Sequence, residues 1–519
     1  MKIQPIQSQN QNNKQNFKGA AAGTLFLRFL ATNQAWGANC VDLCSMVIPR
    51  TTVDFINRGP EAGTETARRE SMGTFNHSMV GVYGSIVGTF IAAAINKRFG
   101  IKAHKIFADN ETFQTVTNSF DTHKGNDYKA HLKHIFSQLE TKVDGEWKKI
   151  PSKDVETLVE KFNSKMLDKN APELIDKKFA NYSEALIASS TGSQNIYRFA
   201  GNENTFTLSG AVKNIYNITK ANIKRELNNI STADFLKTMK KMNITRSVVG
   251  LGIATAVGMS TQPINMYLTK KKTGSDGFVG VEGREKDKSS SFKFLKSLGA
   301  LGFSLGALST ITTNPKNLLH KLQFNGLTPT VSQLKFVYGL TIASRLLSAR
   351  DKDELRESLV KDTLGFLNLL VLGTLVSKGV ARAFDKSLVN VGKDESKNFF
   401  KWLTSSSLKT RDEILYTELK KKNISTINNG KELAFKELIK LADKPIKHKL
   451  WALNIAQIAG YLYSGLVLGV GVPKLNIYMT NKSEAKRKAK LAEKDAQNTQ
   501  SSFGRMLQAD NLAYLSKNM

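Results

Sequence analysis

This 519-residue chain predicts an all-α fold: a multi-spanning helical membrane protein of about four to seven apolar helices with an inserted soluble, mostly helical domain. Three observations predict it. Long windows carry no formal charge, pairs of small residues four apart recur inside them, and one phrase, Asn-x-Tyr-x-Thr followed by lysine, closes two of them. Crossing about 30 Å of hydrocarbon takes roughly 20 apolar residues in a helix, which satisfies its own backbone there. Ser71 to Asn96, Ser247 to Thr269 and Leu450 to Pro473 meet that length, and Ser297 to Pro315 just passes. Thr363 to Ser377, Val331 to Ala349 with its Lys335 and Arg345, and the segment from Gly19 to Ile48 are further candidates. Buried helices of a soluble protein are the alternative reading.

Each of the four best windows holds a small-residue pair: Gly84 and Gly88, Ala254 and Gly258, Gly302 and Gly306, Gly465 and Gly469. Between helices in lipid the hydrophobic effect offers little, so close backbone approach over small residues drives association. The pairs predict a packed bundle, and their faces offer a route to a homo-oligomer.

The repeated phrase runs further than its core. Laying 251–292 over 462–503 without gaps pairs Gly258 with Gly469, Asn265 with Asn476, Tyr267 with Tyr478 and Thr269 with Thr480. Duplication and convergence on a membrane-boundary pattern of Tyr and snorkelling Lys both explain this match.

The remaining chain divides by composition. Residues 1–18 form a polar tail, 19–101 an N-terminal apolar segment, and 102–246 a charged, mostly helical soluble domain. Residues 247–400 carry membrane helices with a charged connector at 348–362. A second soluble helical segment spans 401–449, the last membrane helix 450–473, and a basic tail 474–519. Within these, "YKAHLKHIFSQLE", "SKDVETLVEKFNSKML" and "NNGKELAFKELIKLAD" read as helices, and the Asp-Gly of "VDGEW" as a hairpin turn.

Charge and cysteine content bound the partners. With 75 Lys plus Arg against 44 Asp plus Glu, the formal charge is +31, which favours anionic lipid headgroups and leaves nucleic acid as a lesser alternative. Lysine outnumbers arginine heavily, a bias that suggests an AT-rich coding sequence, so composition is an alternative source of part of the charge; the location expected is a bacterial inner membrane. Cys40 and Cys44 cannot build a disulfide framework, and no His or Cys spacing suits a metal; no cofactor is expected. Basic residues flank the windows on both sides, so charge does not set the orientation.

Chemistry has four candidate locations. "HKIFAD" places His104 and Asp109 five apart just beyond the first window. This resembles the His-x4-Asp signature of membrane glycerolipid acyltransferases, and the resemblance implies His104 as general base oriented by Asp109. The later blocks of that family have only "VEGRE" at 281–285 as an echo. "GSDGFVGVEG" lacks the Lys-Ser/Thr of a phosphate cradle and reads as a turned loop. "SARDKDELRESLVKD" concentrates Arg350, Asp351, Asp353, Glu354, Arg356, Glu357 and Asp362 between apolar segments; with Arg345 it forms a polar cluster for a cation or a polar path, or a salt-bridged connector. His77 is the fourth, within the first window. The function expected is non-enzymatic, a membrane scaffold or a small-solute or ion pathway.

Overall fold

A computed structural model describes residues 22–31, 39–123, 128–143, 146–166, 187, 197–202, 205–281, 283–324, 329–368, 372–390, 407–428, 431–433 and 435–517. The polar tail 1–18 lies outside them. The fold is all-α, with three small antiparallel sheets among the described residues. Helix α1 (Ala22–Ala31) is followed by a π-helical turn at Leu43–Val47 that leads into α2 (Ile48–Arg58). Gly59, at φ 86°, breaks the chain there, and Pro60 opens the long helix α3 (Pro60–Phe99). Proline at a first helical position loses no bond, and glycine alone takes the positive φ freely.

The first insertion follows. Its helices α4 (Asn110–Thr122), α5 (Lys129–Ser137), α6 (Ser152–Met166) and α7 (Leu208–Leu227) pack with an antiparallel sheet, in which β1 (Leu139–Val143) lies between β2 (Glu146–Lys149) and β3 (Tyr197–Phe199), around Phe113, Leu132, Phe136, Leu158 and Ile215. The hairpin read from "VDGEW" is present, with Val143 opposite Glu146. Both amphipathic stretches form helices, Lys129–Ser137 and Ser152–Met166, but the first gives way to strand β1 at Leu139 rather than staying helical to its end. Ser231 then caps α8 (Thr232–Thr273), which runs without interruption from the insertion into the second apolar window. The domain boundary read at residue 246 therefore falls inside one helix.

Helix α9 (Ser290–Ser309) and α10 (Val331–Ser348) pair side by side, and α10 opens on a capping box between Thr330 and Gln333. A tight corner at Ala349 to Asp351 leads into α11 (Lys352–Leu367), and α12 (Gly373–Phe384) continues the path. A smaller second insertion holds α13 (Arg411–Lys421) and α14 (Phe435–Leu441) with two short antiparallel strand pairs, 389–390 with 407–408 and 427–428 with 431–432. Here "NNGKELAFKELIKLAD" is helical only from Phe435, because residues 427–428 and 431–432 pair as strands around the Asn-Gly, a strong hairpin signal. Last, α15 (Lys444–Tyr463), a π-helical segment (Ser464–Gly471) and α16 (Val472–Lys517) form one continuous rod.

Among the described residues, three helical rods are long and apolar enough to cross a membrane: Pro60–Phe99, Thr232–Thr273 and Lys444–Ser502. That is fewer than the four to seven read from the sequence. The window from Ser297 to Pro315 breaks at the turn after Ser309, and its helix starts early enough to include Lys293 and Lys296. The candidate at 331–349 holds a buried arginine, and the one at 363–377 includes positions outside the described residues. Helix α1 is anchored through Arg28 to Asp412 of the second insertion at 2.9 Å, and much of the Gly19 to Ile48 segment around it likewise lies outside the described residues. The apolar windows of the three qualifying rods are only 33%, 39% and 28% buried. Phe75, Ile86, Phe90, Ile264, Ile458, Leu462 and Leu466 stand on their outer surface, an apolar belt far larger than a monomer in water ordinarily exposes.

Candidate functional site at a buried charged junction

The connector at 348–362 does not face solvent. Arg345, Arg350, Asp351, Asp353, Glu354, Glu357, Lys361 and Asp362 are buried, packed against a second charged stretch at the start of α3 and the end of α2. Arg350 forks onto two carboxylates, reaching Glu65 at 2.5 and 3.3 Å and Glu354 at 2.9 Å through both Nε and Nη2. The Glu354 carboxylate also accepts from the Arg350 backbone N–H at 2.7 Å. Arg58, at the end of α2, makes the reciprocal reach: its Nη1 donates to Glu357 at 2.9 Å, with Nη2 on the other oxygen. Arg50 lies 3.6 Å from Glu70, Arg345 3.2 Å from Asp362, and Lys361 3.3 Å from Glu70. A charge this deep is tolerated only when paired and hydrogen-bonded, and removing either partner strands the other.

The loop after α8 closes the junction. Arg284 bridges Asp351 at 2.9 Å, Asp353 at 2.8 Å and Glu484 of α16 at 3.1 Å. Burial works against the charge on Arg284, but hydrogen bonds to Asp353 and Asp351 hold its pKa above the ordinary arginine range. Phe278 stands over both corner arginines, 5.2 Å from Arg58 and 5.7 Å from Arg350. The glycine-rich stretch is thus a lid, turned by Gly274 and Gly283 at positive φ.

The two corners match residue by residue. Laying 58–85 over 350–377 without gaps pairs Arg58 with Arg350, Glu65 with Glu357, Gly73 with Gly365, Asn76 with Asn368, Gly81 with Gly373 and Ser85 with Ser377. The same register pairs Glu61 with Asp353, Thr66 with Ser358, Arg69 with Lys361, Glu70 with Asp362 and Ser71 with Thr363. Contacts repeat as well. Asn265 donates to the carbonyl of Glu65 at 2.9 Å, and Asn476 to the carbonyl of Glu357 at 3.3 Å. Thr269 accepts from Arg68 at 2.8 Å and Thr480 from Arg356 at 2.7 Å. Asn76 donates to the Ala254 carbonyl at 2.9 Å, and Asn368 to the Ser464 hydroxyl at 3.0 Å.

The repeated phrase therefore has a structural role. Its Asn and Thr turn inward to dock a long helix on a charged corner, while Tyr267 and Tyr478 turn outward, 65% and 63% exposed. The parts recur in the same order: a helix leading to an arginine, a corner, a charged helix, an insertion, and a returning helix that docks on the corner. The sequence reading had one arm of this match and one of the two corners. Of the residues it missed, Arg58, Glu65, Arg69 and Glu70 were findable by the gap-free overlay of the corners, whereas Arg50 and Asp54 lie before it.

Other expected residues are placed as follows. His104 Nδ1 lies 3.2 Å from the Asn96 amide, while Asp109 caps α4, accepting from the backbone N–H and hydroxyl of Thr112 at 2.9 Å each. The structure thus gives them separate partners. His77 packs edge-on against Tyr338. Of the small-residue pairs, three pack within the chain. Gly84 lies against the backbone of Gly250, Gly88 against Arg246, Gly258 against Thr341 and Asn76, and Gly465 and Gly469 against Ser45. Gly302 and Gly306 meet nothing within 4 Å of where a Cβ would stand. Among the described residues no group of His, Cys, Asp and Glu suits a metal ion, and Cys40 and Cys44 are both free thiols. Comparison with protein-family models, curated proteins and solved structures finds no match to this chain.

Proposed function

We propose that this chain is an integral membrane protein, non-enzymatic, in which two matched helical units form a pathway for a small solute or ion, closed at the charged junction. The observation that carries the reading is the exchange of charge between units, Arg58 onto Glu357 and Arg350 onto Glu65, at one end of an apolar-surfaced bundle. Membrane transport folds commonly bind their substrates where internal repeats meet, and ionisable groups at such depth mark pathways. In this reading the three apolar rods face lipid, and α9 and α10 return through the bundle beside them as an inner hairpin. Tyr267 and Tyr478 mark one membrane boundary, where Lys270 to Lys272 and Lys482 to Lys490 meet anionic headgroups. The location proposed is a bacterial inner membrane, with the three apolar rods as the support for a membrane.

A scaffold is the second reading, favoured by how completely the junction charges are paired. Two experiments decide. Washing membranes with high salt and then alkaline carbonate leaves an integral protein in the pellet, whereas release by either wash ends the membrane reading. In reconstituted vesicles, replacing Arg350 and Glu354 together by neutral residues alters flux if the junction gates a pathway. A folded variant with unchanged flux leaves the scaffold.

A further inference from the structure

Between the two corners, beneath the lid, lies an enclosed cavity of about 30 Å3. Arg58, Glu65, Arg69, Glu354, Glu357 and Lys361 are among its walls, and residues 278–280 cover it. Its position is where matched units meet, and its chemistry is lopsided. Both oxygens of Glu65 and of Glu354 already accept from Arg350, both oxygens of Glu357 from Arg58, and Asp54 from Thr66 at 2.6 Å. A bound cation would need several free oxygens and would have to displace guanidinium groups to obtain them. The spare capacity is on the donor side. Arg58 is itself more than nine-tenths buried, lines the cavity, and its Nε–H has no partner. Lys361 brings an ammonium with three donors, engaged with Glu70 at 3.3 Å.

From this geometry we propose that the cavity under Phe278 binds one small monovalent anion of halide size, held by the Arg58 Nε–H and Lys361. The volume admits a sphere about as large as a water molecule and excludes sulfate, phosphate and carboxylates. The site deepens the two-unit pathway reading and rests on it, because it supplies that pathway with a substrate class.

The test uses the full-length chain purified in detergent, unfolded thermally in sodium chloride and in sodium gluconate at equal ionic strength. A ligand that binds only the folded state raises the midpoint with its concentration. The expected result is a saturable rise specific to chloride and bromide, of about 1 °C at tenfold excess over Kd and about 2 °C at hundredfold, with none from sulfate. Phe278→Ala, which uncovers the cavity, should weaken the chloride dependence at least tenfold, and Arg58→Lys should abolish it. If Arg58→Lys does not fold, Phe278→Ala alone carries the comparison. Equal midpoints in chloride and gluconate overturn the proposal, since they mean that the cavity holds water. So do a sulfate effect equal to that of chloride and a chloride effect that survives in Phe278→Ala. Failure of the membrane reading registers instead as release by carbonate, which leaves the halide titration readable.

Discussion

Replacing Arg350 by Met tests whether the junction holds the two units together. The arginine makes four side-chain hydrogen bonds, two to Glu65 and two to Glu354, and all three residues are buried. Methionine fills much of the stem volume but offers no donor, so two carboxylates are left facing each other without their cation. Breaking a buried pair by removing one partner costs about 3–5 kcal/mol, most of it from the stranded charge. The cost in Arg350→Met should therefore fall sharply when Glu65→Gln is added, because the stranded group is then neutral. Residues in one network show interaction energies of about 0.5–3 kcal/mol in a double-mutant cycle, and the upper end is expected here. Denaturant unfolding in a fixed detergent, followed by far-ultraviolet circular dichroism, measures all four species of the cycle. A cost below about 1 kcal/mol for Arg350→Met, or strict additivity with Glu65→Gln, would refute the reasoning and make the junction a set of independent surface-like pairs.

The matched contacts should respond alike: Asn265→Ala and Asn476→Ala should each cost about 1 kcal/mol, as expected for one lost hydrogen bond, measured in the same unfolding assay. Gly250→Leu should prevent α3 and α8 from packing, because a side chain there would meet the Gly84 backbone at 2.8 Å, whereas Gly302→Leu should be nearly neutral by size-exclusion profile and unfolding midpoint. His131, buried between the hydroxyls of Ser119 and Thr219, has its pKa pushed down by burial from 6.5 to about 4. Its contribution is therefore full above pH 6.5 and is lost as the pH falls toward 4, by up to about 3 kcal/mol; melting curves across that range should flatten in His131→Leu. Asp109→Ala should destabilise the first insertion by about 1 kcal/mol through loss of the α4 cap, and His104→Ala should not reproduce that loss by hydrogen exchange of α4.

Much of the helical architecture was legible in the sequence because its signals are local. An uncharged run of the length of Ser71 to Asn96 has few alternatives to a helix, and an Asp-Gly between strand-like residues announces its own hairpin. Span number was less legible. Whether 297–315 remains helical to its end depends on the turn after Ser309, and whether 331–349 faces lipid depends on what meets Arg345; composition reports neither. The junction was half visible. The sequence marked Arg350 and its neighbours as a charged connector, but burial came from Glu65 and Arg58, almost 300 positions away, and no periodicity within either segment reveals the other. The Asn-x-Tyr-x-Thr echo was the accessible clue, since the meaning of Asn265 and Asn476 appears only once both are seen to bind matched glutamates.

Helix α16 does not stop where it docks. It carries Asn476 and Thr480 on the junction and then continues to Lys517 as one rod of 46 residues, which at 1.5 Å per residue is about 69 Å long. A straight helix of that length works as a lever whose short arm rests on Glu357. Whatever grips the far end applies torque to the contact between the two units, so a load on the tail becomes a mechanical input to the cavity without touching it.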